Sequence, residues 1–240
     1  MKFNTNSNTY IITYSVVMVV IVAVLLSVAA LGLKPRQEAN MLNEKKTQIV
    51  KALGEDPATV AYDSVIAKAV ILDASGAVVS EDVNEVFAAL NDLKGSFAAG
   101  RFPLFVANNG VVVPLYGAGL WGPIWGYIAL DADMNTVKGI VLDHSGETPG
   151  LGAEITTPKH QAMYPGKTVY EGDAIVGVTL KKGGADKSNP HEVDAITGGT
   201  KTSDGVTAMI SDCLNYYKPY FDAARAAATE VEAESNTINE

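Results

Sequence analysis

The hydrophobic positions of this chain fall into three regimes. From Ile11 to Leu33 they are almost unbroken: IITYSVVMVVIVAVLLSVAALGL contains no charged side chain. As a helix this stretch rises roughly 34 Å, enough to cross the hydrocarbon core of a bilayer. A cleaved signal peptide has a shorter apolar region and a more basic front, and here Lys2 alone supplies a basic side chain ahead of the run. The pattern predicts a tail over 1–10 and an uncleaved transmembrane helix over 11–33. Lys34-Pro35-Arg36 ends the run. Between Glu38 and Leu53 the apolar positions Met41, Ile49, Ala52 and Leu53 recur at helical spacing against Glu44, Lys45 and Lys46, which predicts a separate short amphipathic helix.

The second regime is mixed. Val65–Leu72 and Gly76–Val79 read as strands, and Val83–Leu93 as a helix with the stripe Val86, Leu90, Leu93. From Pro103 the chain turns β-rich. In PLFVANNGVVVPLYG two strand-like runs flank Asn108-Asn109-Gly110, a hairpin signal. Val137–Asp143 reads as a buried strand, and VYEGDAIVGVTLKKGGA as further strand with a break at Gly183-Gly184. The third regime is the clearest. Val206, Met209, Ile210, Cys213, Leu214, Tyr217 and Phe221 form one helical stripe, with Ser203 or Asp204 as its N-cap. The alanine-rich stretch to Ala228 continues helical beyond Pro219 after a break, and 229–240 is an acidic tail with the composition of a disordered segment. No internal repeat is present. The expected fold class is α+β: one N-terminal transmembrane helix followed by a single mixed α/β domain over 34–228.

Charge and cysteine content narrow the function. The 240 residues carry a formal net charge of -9, which argues against a nucleic-acid partner, since nothing would neutralise backbone phosphates. Cys213 is the single cysteine, so no intrachain disulfide forms, and its place on the apolar stripe predicts a buried core thiol. No Cys/His spacing calls for a metal; His144, His160 and His191 are far apart in sequence. Lys34, Arg36, Lys45 and Lys46 follow the apolar span against Lys2 before it, so the positive-inside rule taken alone leaves the domain in the cytoplasm.

Candidate chemistry concentrates in DAITGGTKTSDGV, residues 194–206, a bent and hydroxyl-rich loop that opens the last helix. A helix start presents unpaired N–H groups and a partial positive charge, and preceding glycines let a ligand approach the backbone closely. Such a loop is a capped turn, a phosphate cradle, or a place where one hydroxyl is itself bonded to phosphate. It is neither a Walker A loop nor a G-x-G-x-x-G turn.

Asp194-Ala195-Ile196-Thr197-Gly198-Gly199-Thr200 resembles the flavinylation motif D-x-x-[ST]-G-A-[TS] of the FMN-binding domains, with Gly199 where that family usually has Ala. GLWGPIW, HSGETPGLGAEI, KKGGA and this loop stand in the order seen in the C subunits of the sodium-translocating NADH:quinone oxidoreductases, as do the N-terminal anchor and the last helix. The resemblance covers essentially the whole chain. It implies a membrane-anchored flavoprotein subunit whose covalent FMN, held through a phosphoester to Thr200 by a dedicated flavin transferase, relays single electrons among the other subunits of an NADH- and quinone-linked, sodium-transporting translocase. No independent substrate turnover is expected.

The resemblance also implies roles for individual residues. Thr197, Thr202 and the amides of Gly198 and Gly199 would bond the phosphate. Glu147, Thr148, Gly150, Leu151 and Gly152 form a flavin-contacting loop, in which Thr148 meets the ring's polar edge and Leu151 its face. Trp121 packs near the flavin or serves as a core or interface tryptophan. Lys182 lies near the pyrimidine end of the ring or is a solvated lysine, and Asp194 serves the transferase reaction or caps the turn. His144 and Glu147 are not read as an acid–base pair, because an electron carrier abstracts no substrate proton. The resemblance places the domain outside the cytoplasmic membrane, against the slight charge bias. The homologous G subunit of the Rnf ferredoxin:NAD complex and a tethered, non-redox anion-binding module are the alternatives.

Overall fold

A computed structural model describes residues 7–227; the expected acidic tail over 229–240 and the first six residues lie outside the described residues. The first helix, α1 (Asn8–Ala52), is continuous and carries Pro35 in its interior. The separate amphipathic helix expected after Arg36 is therefore the C-terminal part of α1. A single proline removes one ladder bond, and the helical pattern on both sides of it carries the element through. The apolar window of α1 has a mean hydropathy of 3.1 and buries nothing, which fits a single membrane span by length and composition. The chain divides into two compact units between Lys45 and Lys46.

Within the second unit the elements are α2 (Tyr62–Val65), β1 (Ile66–Leu72), β2 (Val78–Ser80), α3 (Val83–Ala89), α4 (Leu93–Ala98), β3 (Phe102–Ala107), β4 (Gly110–Ala118), β5 (Pro123–Leu130), β6 (Val137–His144), α5 (Pro158–Gln161), β7 (Tyr170–Glu171), β8 (Ala174–Ile175), β9 (Thr179–Lys181), β10 (Glu192–Asp194) and α6 (Thr200–Tyr216). Six strands form one antiparallel sheet in the order β2-β1-β3-β4-β5-β6. The β7-β8 pair is antiparallel and the β9-β10 pair parallel. Where the periodicity predicts one helix over 83–93, Asp82 caps α3 and Asp92 caps α4, with a 3₁₀ turn between them.

The sheet strands read as apolar runs because both faces are covered. Val70, Leu72, Leu104, Val113, Leu115, Ile124 and Ile128 face one core with α6. Ile71, Phe105, Val112, Tyr127 and Ala129 face a second core with Ile49 and Ala52 of α1, with Leu53 just beyond it, and with Val86 and Phe87 of α3. The alternation along β1, β4 and β5 sorts neighbouring residues between the two. All seven residues of the predicted α6 stripe are buried. Residue 217 is a turn, and helix resumes over 218–227.

The seating of α6 decides the rest. β3 pairs with β4 only at residues 110–112, so Val113–Ala118 pairs with β5 alone. Pro114, which lacks an N–H, sits on that stretch. Helix α6 covers the open edge: Cys213 Sγ meets both the N–H and the carbonyl of Tyr116 at 3.4 Å. Burial pushes this thiol up to about 12, as expected of an inert core cysteine. Two glycines permit the close approach. A Cβ on Gly117 would lie 2.7 Å from Met209 Cβ, and one on Gly205 would lie 2.2 Å from the carbonyl oxygen of Ala118.

A buried histidine gives the fold a pH dependence. His160, on α5, is 3% exposed. Its Nε2 lies 3.0 Å from the Tyr164 hydroxyl and its Nδ1 has no partner. Burial pushes its pKa down to about 4. Between that value and about 6.5 the unfolded chain takes up a proton that the folded protein refuses, so stability present above about pH 6.5 is lost as pH falls toward 4. The loss by pH 4.5 is on the order of 2–3 kcal/mol. Urea unfolding of the wild type and of His160→Gln at pH 7 and 4.5 measures it, with the acid-dependent loss smaller in the variant by about that amount. Equal losses in the two proteins would rule out this histidine as the source.

Candidate functional site

The strand β4 that carries α6 runs directly into the turn Gly119-Leu120-Trp121-Gly122, closed by the Gly119 N–H to the Gly122 carbonyl at 2.8 Å. The turn therefore lies at the starting end of α6. β6 ends at His144 and feeds the loop Glu147–Gly152, which turns back through Leu151 N–H and Ala153 N–H to the Thr148 carbonyl. The third segment, 194–200, reaches α6 from β10.

These segments meet at α6. A Cβ on Gly198 would lie 2.6 Å from Leu151 Cδ2, and one on Gly199 would lie 3.3 Å from the Cα of Gly152. Gly198 has φ 74°, a left-handed conformation that favours glycine. Its turn brings the Gly199 carbonyl under the Ser203 N–H at 2.9 Å, so α6 begins at Thr200. Neither Ser203 nor Asp204 is the N-cap. Gly199 holds that position with no side chain to offer, and the Ser203 hydroxyl instead accepts from the Ile196 N–H at 3.0 Å.

Glu147 is the buried centre. It is 5% exposed, and both carboxylate oxygens accept hydrogen bonds from the protein. Oε1 accepts from the Trp121 N–H at 2.9 Å and Oε2 from the Thr202 hydroxyl at 2.6 Å. Burial pushes this carboxyl up, but the hydrogen bonds from Thr202, Trp121 and Leu120 and the nearby His144 outweigh it and hold it below the usual carboxylate range. The Thr202 hydroxyl hydrogen, expected to face a phosphate, is directed at Glu147.

The remaining predicted residues sort by exposure. Thr197, Thr148 and Gly150 are exposed and Thr200 is half-buried. Leu120, Trp121 and Leu151 are exposed apolar side chains, Trp121 by 69%. Asp194 Oδ1 accepts from the Ala185 N–H at 2.7 Å, which ties the Lys182-Gly183-Gly184 turn to the entrance of the 194–200 segment. Lys182 is exposed just beyond the β9–β10 pair, where Asp194 lies opposite Lys181. Sequence reasoning missed the place of Gly119 against Glu147 and read Ser203 as a cap, where its hydroxyl instead holds the Ile196 N–H. The spacing of Gly119 before Trp121 signals a turn, but nothing local shows that a carboxylate fills the place of its Cβ.

These residues fit a phosphate-bearing cofactor. The helix start has no side-chain cap, leaving its first amides available to an anion, beside the half-buried Thr200 and exposed apolar side chains. Gly199 has an ordinary φ, yet a Cβ there would lie 2.9 Å from Ile196 Cγ2. Alanine is expected to fit only with displacement of Ile196. Gly199→Ala should lower the thermal midpoint by a few degrees, equivalent to about 1 kcal/mol, and a second change, Ile196→Ala, should remove the added cost. A single variant as stable as the wild type would show that the loop yields freely.

Known proteins resemble this chain in sequence and fold. The FMN-binding domain family matches residues 119–215, the span from the Gly119 turn through most of α6. The chain is 30% identical to the C subunit of the Na(+)-translocating NADH-quinone reductase of Pseudomonas aeruginosa over 96% of this chain and 99% of that one. It is 40% identical to the corresponding C subunit of Pasteurella multocida over 56% of this chain and 54% of that one. The crystal structure of the C subunit from Parabacteroides distasonis superposes with a TM-score of 0.72 at 34% identity, covering 79% of this chain and 96% of that one.

Proposed function

Because this chain belongs to the family of C subunits of the Na(+)-translocating NADH-quinone reductases, with an FMN-binding domain over 119–215, we propose that it is the flavin carrier of such a complex. FMN is joined by a phosphoester to Thr200 Oγ1, installed by a flavin transferase, and the subunit passes single electrons between other redox subunits. The observation that carries this reading is the place of Thr200. It is a half-buried hydroxyl residue at an uncapped helix start, beside the loop that holds Thr148 and Leu151.

The bound flavin supplies one-electron redox chemistry; the chain supplies its place and surroundings. The first-turn amides of α6, the Gly198 amide and the Thr197 hydroxyl would hold the phosphate oxygens, whereas the Gly199 N–H, expected to join them, donates to the Ile196 carbonyl at 3.0 Å. Trp121 and Leu151 would cover the ring, Thr148 would meet its polar edge, and Lys182 would supply a cation toward its pyrimidine end. A covalent bond keeps an exposed cofactor from being lost. The N-terminal helix anchors the domain in the cytoplasmic membrane at high effective concentration near its partners, with the domain on the extracytoplasmic side.

The test is direct. The protein is purified from its native membrane, denatured, separated on a gel and viewed under ultraviolet light, and the peptide containing Thr200 is weighed. A fluorescent band with the mass of FMN on that peptide is expected. A dark band from cells with an active flavin transferase would sink the covalent reading.

A further inference from the structure

Glu147 does not face outward as a ligand would. Its carboxylate is buried, and its donors come from two segments: the Leu120 and Trp121 N–H groups from the β4–β5 turn and the Thr202 hydroxyl from the first turn of α6. Its own N–H donates to His144 Nδ1 at 3.2 Å, fixing the loop to the end of β6. The space it fills is left by two glycines. A Cβ on Gly119 would lie 2.4 Å from Oε1, and one on Gly152 would lie 2.3 Å from Oε2 and 2.4 Å from Thr202 Oγ1. The glycines of the two loops thus make room for a carboxylate rather than for the cofactor alone.

We propose that Glu147 is a positioning residue. Its buried carboxylate clips the exposed Leu120–Trp121 edge to the first turn of α6, fixing Trp121 relative to Thr200, and flavin attachment depends on that clip. The inference rests on the reading of Thr200 as the attachment site. Charge-assisted bonds to a buried carboxylate are strong, and an unpartnered buried carboxylate is costly. Loss of either end therefore loosens the whole junction. Thr202→Val keeps the shape and removes the donor. Glu147→Gln keeps the shape, removes the charge and sets an amide NH₂ against groups that donate.

The experiment uses the full-length chain in detergent with Trp125→Phe, so that Trp121 is the one tryptophan. Fluorescence anisotropy is measured on flavin-free protein, and the initial rate of flavin attachment on the same protein supplied with flavin transferase and its flavin donor. Thr202→Val and Glu147→Gln are each expected to lower Trp121 anisotropy and slow attachment about tenfold. The double variant should be no worse than the more severe single one, since both break one junction, and Thr202→Ser, which keeps the hydroxyl, should behave as the parent. Unchanged anisotropy and rate in both single variants would overturn the clip, as would effects that add in the double variant. A parent chain that takes up no flavin would overturn the attachment reading instead, while the anisotropy measurements still decide the clip.

Discussion

Replacing Thr200 by valine is expected to leave the protein folded and to remove the proposed covalent flavin completely. The position is the first of α6 and half-buried, and the N-cap belongs to Gly199, so no capping bond is lost. Valine has the branched shape of threonine and a similar helix propensity, so the thermal midpoint should stay within about 2 °C of the wild type. What disappears is the one oxygen proposed to carry the phosphoester. After denaturation the variant band should be dark under ultraviolet light and its peptide should lack the mass of FMN, whereas Thr200→Ser should remain fluorescent. A fluorescent valine variant would place the bond elsewhere on the chain. Thr197 would be the next hydroxyl to examine, because it is exposed on the same loop and the Thr202 hydroxyl is buried against Glu147.

The second large effect is expected from Gly205→Ala, and its sign opposes the local rule. Glycine within a helix costs about 1 kcal/mol relative to alanine, so the change should stabilise an isolated α6. In the folded protein the new Cβ would lie 2.2 Å from the Ala118 carbonyl oxygen and 3.3 Å from its carbon. A backbone oxygen cannot rotate away as a side chain can. Helix α6 must back off from β4, loosening the buried contacts of Val206 and Met209. A net destabilisation of about 2–3 kcal/mol is expected, read from the urea midpoint of the full-length protein. Because Gly205 lies little more than one turn beyond Thr200, flavin attachment should slow as well. A midpoint equal to or above that of the wild type would show that the helix and strand are not in the tight register described.

The elements are legible where one physical signal dominates. The α6 stripe follows from its 3.6-residue period, the β3–β4 hairpin from Asn108-Asn109-Gly110, and the span in α1 from its length without charge. Local signals mislead where an extended element overrules them. Pro35 reads as a helix end, but α1 runs through it. Ser203 and Asp204 are good caps in isolation, but Gly198 and Gly199 bend the chain so that the helix opens earlier, at Thr200. The single helix expected over 83–93 is two because Asp92 caps a second start.

The sequence by itself determined the α+β class, the long apolar helix, the family and the motif containing Thr200, because periodicity and motif spacing are local properties of the chain. Tertiary structure alone decided what the motif residues touch. That Glu147 binds Trp121 and Thr202, that Gly119 and Gly152 yield their Cβ space to it, and that Gly205 lies against Ala118 depend on contacts between segments remote in sequence. Such contacts leave no periodic trace. They arise only when the sheet has formed and α6 has settled on the open edge of β4, where close packing fixes which atoms can be neighbours.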